Sequence, residues 1–429
     1  MDNKKDYSTT VNLPQTSFQM KANLSQREPV LVKEWDDEKI YSQLCQKNKD
    51  KKVFIFHDGP PYANAHIHIG TALNRVLKDL IIKYRSMSGF YVPYTPGWDC
   101  HGLPIEQIAL KELKTDKNKV DRKVFRKQAA DFAKKFVAIQ KEEFKRLGTF
   151  ADWEAPYLTL DSKYEASILK VFSSLVKKGF VYRKNKAVLW CPNCETALAD
   201  AEVEYADHTA ESIFVKFRIE KLPKKLEKQD LLKQFSVLIW TTTPWTLPSN
   251  SGLAFNEAAD YLAAVFHIDG RTEKLVVAKE LAEAVKEKIG ATKYEVLFEA
   301  KGGDFIEILC HNPFESINRL SRGILADFVS LEDGTGIVHI APGHGQEDYE
   351  AGLVYGLEIV SPVNGKGLFT KEVPEFENVH VFKATPLIIE KLSKEGKILA
   401  AKKIDHSYPH CWRCKKPIIF RATPQWFIS

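Results

Sequence analysis

Two Cys-x-x-Cys turns, Cys191-Pro192-Asn193-Cys194 and Cys411-Trp412-Arg413-Cys414, each present a pair of thiols from one tight bend. Brought together they offer four thiolates in a tetrahedron, the arrangement of a structural Zn2+ site. Two unrelated reduced pairs, or a redox dithiol in one of them, would use the same residues. Cys45, Cys100 and Cys310 form no such pair and read as ordinary thiols. A second constellation is a loop rich in histidine. His57, His66 and His68 lie between a short apolar run, Val53 to Phe56, and a helical pattern that opens at Gly70-Thr71. A strand, a tight turn and a helix set a helix N-terminus beside a strand end, where unpaired N–H groups and the helix dipole favour a phosphate. Neither Gly-x-Gly-x-x-Gly nor Gly-Lys-Ser/Thr stands in that turn. Asp99, in the Gly- and Pro-rich loop from Pro96 to Pro104, reads either as a helix cap or as the counter-charge of a ligand cation such as a free α-amino group.

Two further polar clusters follow. The run from Trp240 to Asn250 holds Thr241, Thr242 and Thr243 in a row, with Thr246, Ser249 and Asn250 close behind. Hydroxyls orient a water or a ribose but are poor bases alone; β-propensity and capping give the plainer account of the run by itself. The run from Gly334 to Tyr349 joins an apolar strand to a glycine-rich turn carrying His339, His344, Glu347 and Asp348. It reads as a strand and turn with solvated polar groups, or as a site for a small ligand with a cationic amine and an ester. No Gly-x-Ser-x-Gly elbow is present, so water activated by substrate and backbone is the chemistry it points to.

These groups need elements to hold them. Val30 to Gln46 reads as a surface helix after an irregular lead-in. Val53 to Phe56 reads as a buried strand that breaks at Asp58-Gly59-Pro60-Pro61. Leu73, Val76, Leu77, Leu80 and Ile81 then recur at helical spacing, and Gly89 closes that helix. Phe90 to Pro93 is edge-strand-like. Asp121 to Leu147 is one long helix with Phe125, Ala129, Phe132, Phe136, Ile139 and Leu147 on its apolar stripe. Its other faces are crowded with Lys and Arg, which reads as a solvated surface before it reads as an RNA contact. Tyr164 to Lys178 is a further helix, and Phe180 to Trp190 runs into the first Cys pair.

From Ala201 the texture turns β-rich, with strands expected at 212–217, 235–242, 262–266, 274–277 and 336–340, a helix at 279–289, and a solvated Lys-rich excursion at 221–233. The expected organisation is a lead-in and helix over 1–50, a first domain over 51–200 that includes the first metal hinge, an insert over 201–405, and a second hinge with a return strand over 406–429.

A chain of 429 residues with 44% hydrophobic and 28% charged residues builds folded cores and two or three domains. A net charge of +6 permits an RNA partner without being a nucleic-acid signature. No apolar stretch approaches the roughly 18 residues of a membrane span, and the opening residues lack the apolar core of a signal peptide. Paired cysteines in such a chain favour metal over disulfides and a cytoplasmic setting.

Together these runs resemble the isoleucyl-tRNA synthetases, class I aminoacyl-tRNA synthetases, over nearly the whole chain. Pro60 and the run Pro61-Tyr62-Ala63-Asn64-Ala65-His66-Ile67-His68-Ile69-Gly70-Thr71 are similar to the family's His-x-Gly-His nucleotide signature. The Trp240 to Asn250 run is of the isoleucyl type; the similar valyl and leucyl enzymes carry an Arg within it. Gly336 to Gly345 followed by Asp348, Asn12 to Thr16, and Arg27-Glu28-Pro29 are also of that type.

The resemblance implies an α/β chain: a Rossmann-like nucleotide-binding fold, incomplete here, with an inserted β-rich editing domain. It implies ATP-dependent joining of isoleucine to tRNA(Ile) through isoleucyl-adenylate, with Mg2+ accompanying ATP, in a cytoplasmic monomer. His68 and Thr71 would be catalytic, Asp99 would bind the substrate amino group, and Gly59 and Pro60 would line the isoleucine pocket. In the insert, Thr241, Thr242, Thr243, Asn250 and His339 would shape a pocket that hydrolyses misactivated valine, and Asp348 would hold its amine. One methylene is worth roughly 1–3 kcal/mol in a pocket, a limit already recognised for this family rather than read from these residues, and a second site multiplies the discrimination.

The sequence departs from the family at Thr71, where the signature has a second His, and at Ala65, where it has Gly. Thr donates a hydrogen bond but carries no positive charge, so Thr71→His is expected to change the adenylation rate little. Thr423 to Ser429 resembles the return into the second half of the nucleotide fold, and the Lys-Met-Ser-Lys-Ser loop does not occur. An N-terminal portion, unable to form adenylate alone, is the expectation. Valyl or leucyl specificity, a free-standing tRNA editing or binding module, and a zinc-stabilised RNA-binding module are the competing readings.

Overall fold

The computed structural model describes residues 7–12, 16–17, 21–114 and 120–429. Of the Asn12 to Thr16 motif, Leu13, Pro14 and Gln15 therefore lie outside the described residues. The chain divides into two compact units, Met1–Gly179 and Phe180–Ser429. Both Cys pairs fall in the second unit, and the division comes before the expected domain end at residue 200.

The first unit holds helices α1 (Leu24–Asp37), α2 (Ile40–Lys47), α3 (Ile69–Met87), α4 (Leu103–Glu112), α5 (Arg122–Arg146) and α6 (Ser162–Lys177) and short strands β1 (Gly97–Trp98) and β2 (Tyr157–Leu158). The helix expected over Val30 to Gln46 is two helices, broken where Lys39 takes a left-handed φ of 52°. The buried strand expected at Val53 to Phe56 is not formed. Val53 makes a single parallel bridge to Tyr91, and Ile55 is 71% exposed. The run has a partner on one side alone among the described residues, with Phe54 N–H donating to Tyr91 O at 2.8 Å and Tyr91 N–H to Lys52 O at 3.0 Å. The same bridge is all that forms of the edge strand at Phe90 to Pro93. Tyr62 bridges Asp99 in parallel, and β1 pairs β2 in parallel, so each pairing described in this unit has the sense of a parallel sheet. Gly97 permits the β1–β2 approach, since a Cβ there would lie 2.0 Å from the Tyr157 ring.

The helix after the histidine loop forms as read, but its apolar stripe faces outward. Leu73, Val76, Leu77, Leu80 and Ile81 are between 38% and 59% exposed, whereas Arg75, Asp79 and Ile82 are buried. Polar partners from distant segments turn it. Arg75 Nη1 donates to Asp58 Oδ2 at 3.1 Å and to the Tyr94 hydroxyl at 2.7 Å, and Asp79 Oδ1 accepts from Phe150 N–H at 2.7 Å. Asp58 is fully buried and also accepts from Lys78 Nζ at 2.6 Å and Gly97 N–H at 3.0 Å. These donors and the Arg75 charge hold its carboxyl below the usual range against the opposing effect of burial. Helix α5 matches the expected span; Asp121 Oδ1 caps it by accepting from the N–H groups of Lys123 and Val124 at 3.0 Å each. Its C-terminal basic residues are paired: Lys141 with Glu154, Lys145 with Asp36 and Arg146 with Glu28.

The second unit is mixed α/β and dominated by sheet. Strand β3 (Val181–Cys191) pairs antiparallel with β15 (Ile419–Ile428) and, at its far end, with β4 (Thr196–Ala197). A long ribbon of β5 (Val203–Lys221) and β14 (Ile398–Cys411) leads from there into a ten-stranded sheet. That sheet includes β6 (Ser236–Thr241), β7 (Gly252–Phe255), β8 (Asp260–Ile268), β9 (Arg271–Ala278), β10 (Lys293–Lys301), β11 (Leu309–His311), β12 (Leu320–Leu325) and β13 (Ile337–Ile340). Helices α7 (Ala282–Lys288), α8 (Gln346–Tyr355) and α9 (Val381–Lys394) complete it. Each expected β run has a strand. The Lys-rich excursion is anchored rather than free, because Leu222, Leu226 and Leu232 are buried in the main core. No helix among the described residues is long and apolar enough to cross a membrane.

Candidate functional site

In the second unit, β6 ends at Thr241 and the chain turns through a 3-10 segment, Pro244–Ser249, before β7. Strand β13 delivers His339, and the loop after it opens α8 with Glu347 and Asp348 in the first turn. These segments line a cleft of about 820 Å³ with Trp240, Thr241, Thr242, Thr243, His339, His344 and Asp348 on its walls; Phe420 of β15 adds one side. Such a volume suits a small ligand or the end of a larger one.

The hydrogen bonds fix most proton positions. Asn250 is fully buried; its Nδ2 donates to Gly252 O at 2.8 Å, so the amide orientation is set. The same Nδ2 lies 3.1 Å from His339 Nδ1, which therefore accepts. Asn250 Oδ1 accepts from Ser321 Oγ at 2.5 Å. The ring proton of His339 then sits on Nε2 and is donated to Thr246 Oγ1 at 2.8 Å, and Thr246 passes its own hydroxyl proton to Thr243 O at 2.8 Å. Burial, with His344 nearby, brings His339 down to about 4, so the ring is neutral in neutral water. His339 is thus a wired wall of the cleft and not a free base. Thr241 Oγ1 and Thr243 Oγ1 are 3.3 Å apart.

Asp348 Oδ2 accepts from Ala341 N–H at 2.8 Å. Gly345 makes room for it, since a Cβ there would be 2.9 Å from the Asp348 carboxyl carbon. Burial lifts Asp348 to about 6 against that hydrogen bond. At neutral pH it is a half-buried anion without a cationic partner in the described hydrogen bonds and ion pairs, which suits an incoming ammonium.

The four Sγ atoms of Cys191, Cys194, Cys411 and Cys414 lie within 4.8 Å of one another, and Cys191 and Cys414 are 3.5 Å apart. Thiolates at the usual Zn–S distance stand about 3.8 Å apart along tetrahedral edges, so the donor set fits a tetrahedral metal. Glu195 and Lys415, each the residue after its Cys-x-x-Cys, both take left-handed φ angles, 52° and 56°, so the two turns share one geometry. Burial pushes the Cys191 thiol up. Four sulfurs this close, three of them on buried cysteines and Cys414 half-buried, need a cation to become thiolates together.

In the first unit the signature run and Asp99 are neighbours. Ala63 N–H donates to Asp99 O at 3.0 Å and Asp99 N–H to Pro61 O at 2.9 Å. Helix α3 starts with His68 as its cap, whose Nδ1 accepts from the N–H groups of Gly70 and Thr71 at 3.1 and 3.3 Å. Asp99 Oδ1 accepts from His101 N–H at 3.3 Å. His66 Nδ1 sits 2.5 Å from Glu143 Oε1, and Glu143 Oε2 accepts from Ile67 N–H at 3.0 Å. Gln140 is buried beneath: its Oε1 accepts from Trp98 Nε1 at 3.0 Å, and its Nε2 donates to Tyr62 O and Ala65 O at 3.0 and 2.7 Å.

Residues 30–429 match the family model described as tRNA synthetases class I (I, L, M and V). The chain belongs to that family. An isoleucine–tRNA ligase of Syntrophomonas wolfei is 50% identical over 426 residues, covering 99% of this chain and 45% of that protein. One of Kosmotoga olearia is 49% identical over 424 residues, covering 99% of this chain and 44% of that protein. A solved LeuRS–tRNA–LeuAMS complex from Agrobacterium radiobacter K84 aligns with 93% of this chain and 52% of that one at 16% identity and a TM-score of 0.37. The chain spans a little under half the length of the curated relatives it matches.

For a class I synthetase chain, the residues singled out in the sequence gather as three groups: the signature with Asp99, the Thr–His–Asp cleft, and the four cysteines. Sequence reading missed Thr246 and Ser321 at the two ends of the His339 relay, and Gln140 and Glu143 under the signature loop. Thr246 stood inside a run already noted. Ser321 and Gln140 carry no spacing signal, because each is defined by a partner far along the chain.

Proposed function

We propose that the protein joins isoleucine to tRNA(Ile) through isoleucyl-adenylate, using ATP with Mg2+, and that its second unit hydrolyses misactivated valine. One observation carries the hydrolytic part. Thr241, Thr242, Thr243, His339 and the half-buried carboxylate of Asp348 share one cleft, with no Ser or Cys nucleophile presented by a base among the described residues that line it. Asp348 binds the ammonium of the aminoacyl group, the Thr hydroxyls and backbone hold the ester end, and water is the nucleophile. His339, held by Asn250 and Thr246, limits the side chain admitted.

In the synthetic half-site, His68 Nδ1 is occupied as an acceptor, which leaves the ring proton on Nε2 for an ATP phosphate oxygen. Thr71 stands beside it as a neutral donor, Asp99 takes the isoleucine amine, and Gly59 and Pro60 line the pocket. The signature from Pro61 to Thr71 is the loop that meets the nucleotide. The close identity to isoleucine–tRNA ligases and the Thr run without Arg support isoleucine over valine or leucine.

Deacylation of valyl-tRNA(Ile) by this chain is the direct test. The chain is expected to hydrolyse it and Asp348→Ala to lose at least 100-fold in rate; equal rates would remove Asp348 from the site. Zinc is the metal the Cys191, Cys194, Cys411 and Cys414 set favours, holding the base of the second unit together without entering the chemistry. Metal analysis of the purified chain should give about one zinc. A metal-free chain whose Cys191→Ser variant folds normally would exclude it.

A further inference from the structure

His344 lines the same cleft and has no role in the reading above. It is more than nine-tenths buried, and the Trp245 ring packs against it edge-on with centroids 4.9 Å apart. Its Nδ1 lies 2.9 Å from Phe420 O. A carbonyl only accepts, so Nδ1 carries the ring proton and donates it, and Nε2 bears a lone pair. That Nε2 is buried and has no hydrogen-bond partner among the described residues. The contrast with His339 is complete: both nitrogens of His339 are engaged, whereas His344 is held by one and keeps an acceptor at the other. An acceptor left buried and unpaired costs on the order of 1–3 kcal/mol unless something bonds to it.

We propose that His344 Nε2 is the acceptor that orients the attacking water in the hydrolytic cleft. The inference rests on the editing reading given above. Water donates one O–H to Nε2, and its oxygen forms the new bond to the ester carbonyl carbon. The bond from that carbon to the ribose oxygen breaks, and the ribose oxygen leaves carrying a proton that came from the water. One water is consumed, the amino acid and tRNA are released, and His344 ends as it began. Burial brings His344 down to about 4, so the lone pair is present throughout the neutral range. A ring this weakly basic serves to aim the water rather than to keep its proton.

The test uses this 429-residue chain and valyl-tRNA(Ile). His344→Phe keeps the ring and removes the acceptor; His344→Gln returns an acceptor near the Nε2 position. The Phe variant is expected to lower kcat about 100-fold with KM within about twofold, the scale of losing one aimed polar group. The Gln variant is expected to recover at least tenfold of that loss. A Phe variant with wild-type kcat, or one changed in KM alone, overturns the proposal. Equal loss in both variants with equally lowered melting temperatures assigns His344 to packing and also overturns it. A wild-type chain that leaves valyl-tRNA(Ile) intact overturns the editing reading itself, and this one with it. Should the Phe variant fail to fold, 15N shifts of the His344 ring in the wild-type chain decide: Nδ1–H at pH 7 supports the assignment and Nε2–H overturns it.

Discussion

Asp348 and the histidines beside it titrate in opposite senses, and the signs matter. Burial raises Asp348 to about 6, so the folded chain holds that proton more tightly than the unfolded one. The stability this contributes is fully present below the ordinary Asp range and is lost as pH rises through about 6. At pH 7.5 the ionised group costs on the order of 3 kcal/mol. Asp348→Asn is therefore expected to raise the denaturant midpoint of the second unit at pH 7.5, to lose that advantage below pH 4, and to abolish deacylation. A destabilised variant at pH 7.5 would contradict the assignment. His339 and His344, brought down to about 4 by burial, contribute stability present above the ordinary His range and lost as pH falls toward 4. Deacylation should rise with pH through about 6 as Asp348 ionises. At this scale the sequence was informative where one run carried the whole signal: three threonines in a row, or His339 and Asp348 nine positions apart. It was silent about Ser321, whose only mark is a bond to Asn250 from another strand.

At the scale of elements, α5 does more than present a basic surface. Gln140 joins the Trp98 indole to the carbonyls of Tyr62 and Ala65, tying the loop that holds Asp99 to the signature loop. Gln140→Leu would leave one buried N–H and two carbonyls without that partner. A loss of about 3 kcal/mol in the stability of the first unit is expected, measured by chemical denaturation, together with faster amide exchange at Tyr62 to Ile67. Unchanged exchange there would show that the bonds do not hold the loop. Periodicity predicted α3 and α5 to within a residue or two of their ends. It could not say which face of α3 turns inward, because Asp58, Tyr94 and Phe150 decide that and all three lie outside the helix, where its periodicity does not report them. Val53 to Phe56 was apolar enough for a strand, but a strand needs neighbours, and its composition does not report them.

At the scale of the molecule, the β-rich texture after residue 201 and the pairing of two distant Cys-x-x-Cys turns were both readable, since local composition and ligand chemistry carry them. The division at Gly179 was not, because β3 belongs with β15, more than two hundred residues later. The clasp should matter to the whole second unit. Treatment with a strong chelator is expected to lower its melting temperature by several degrees and to leave that of the first unit unchanged. Equal shifts in both would count against a local structural metal.

The two ends of the second unit also meet. Ser429 N–H donates to Phe180 O at 3.0 Å, and ten residue pairs run from there back to Trp190 and Ile419. Force applied between residues 180 and 429 would load those pairs one after another, as a zipper and not in shear. Opening should begin at low tension and halt at the four cysteines. With metal in place the remaining fold is shielded from that pull; without it, the tear passes straight into the β5–β14 ribbon. In single-molecule stretching the clasp would appear as a sharp stop about ten pairs in, present with zinc and gone after chelation.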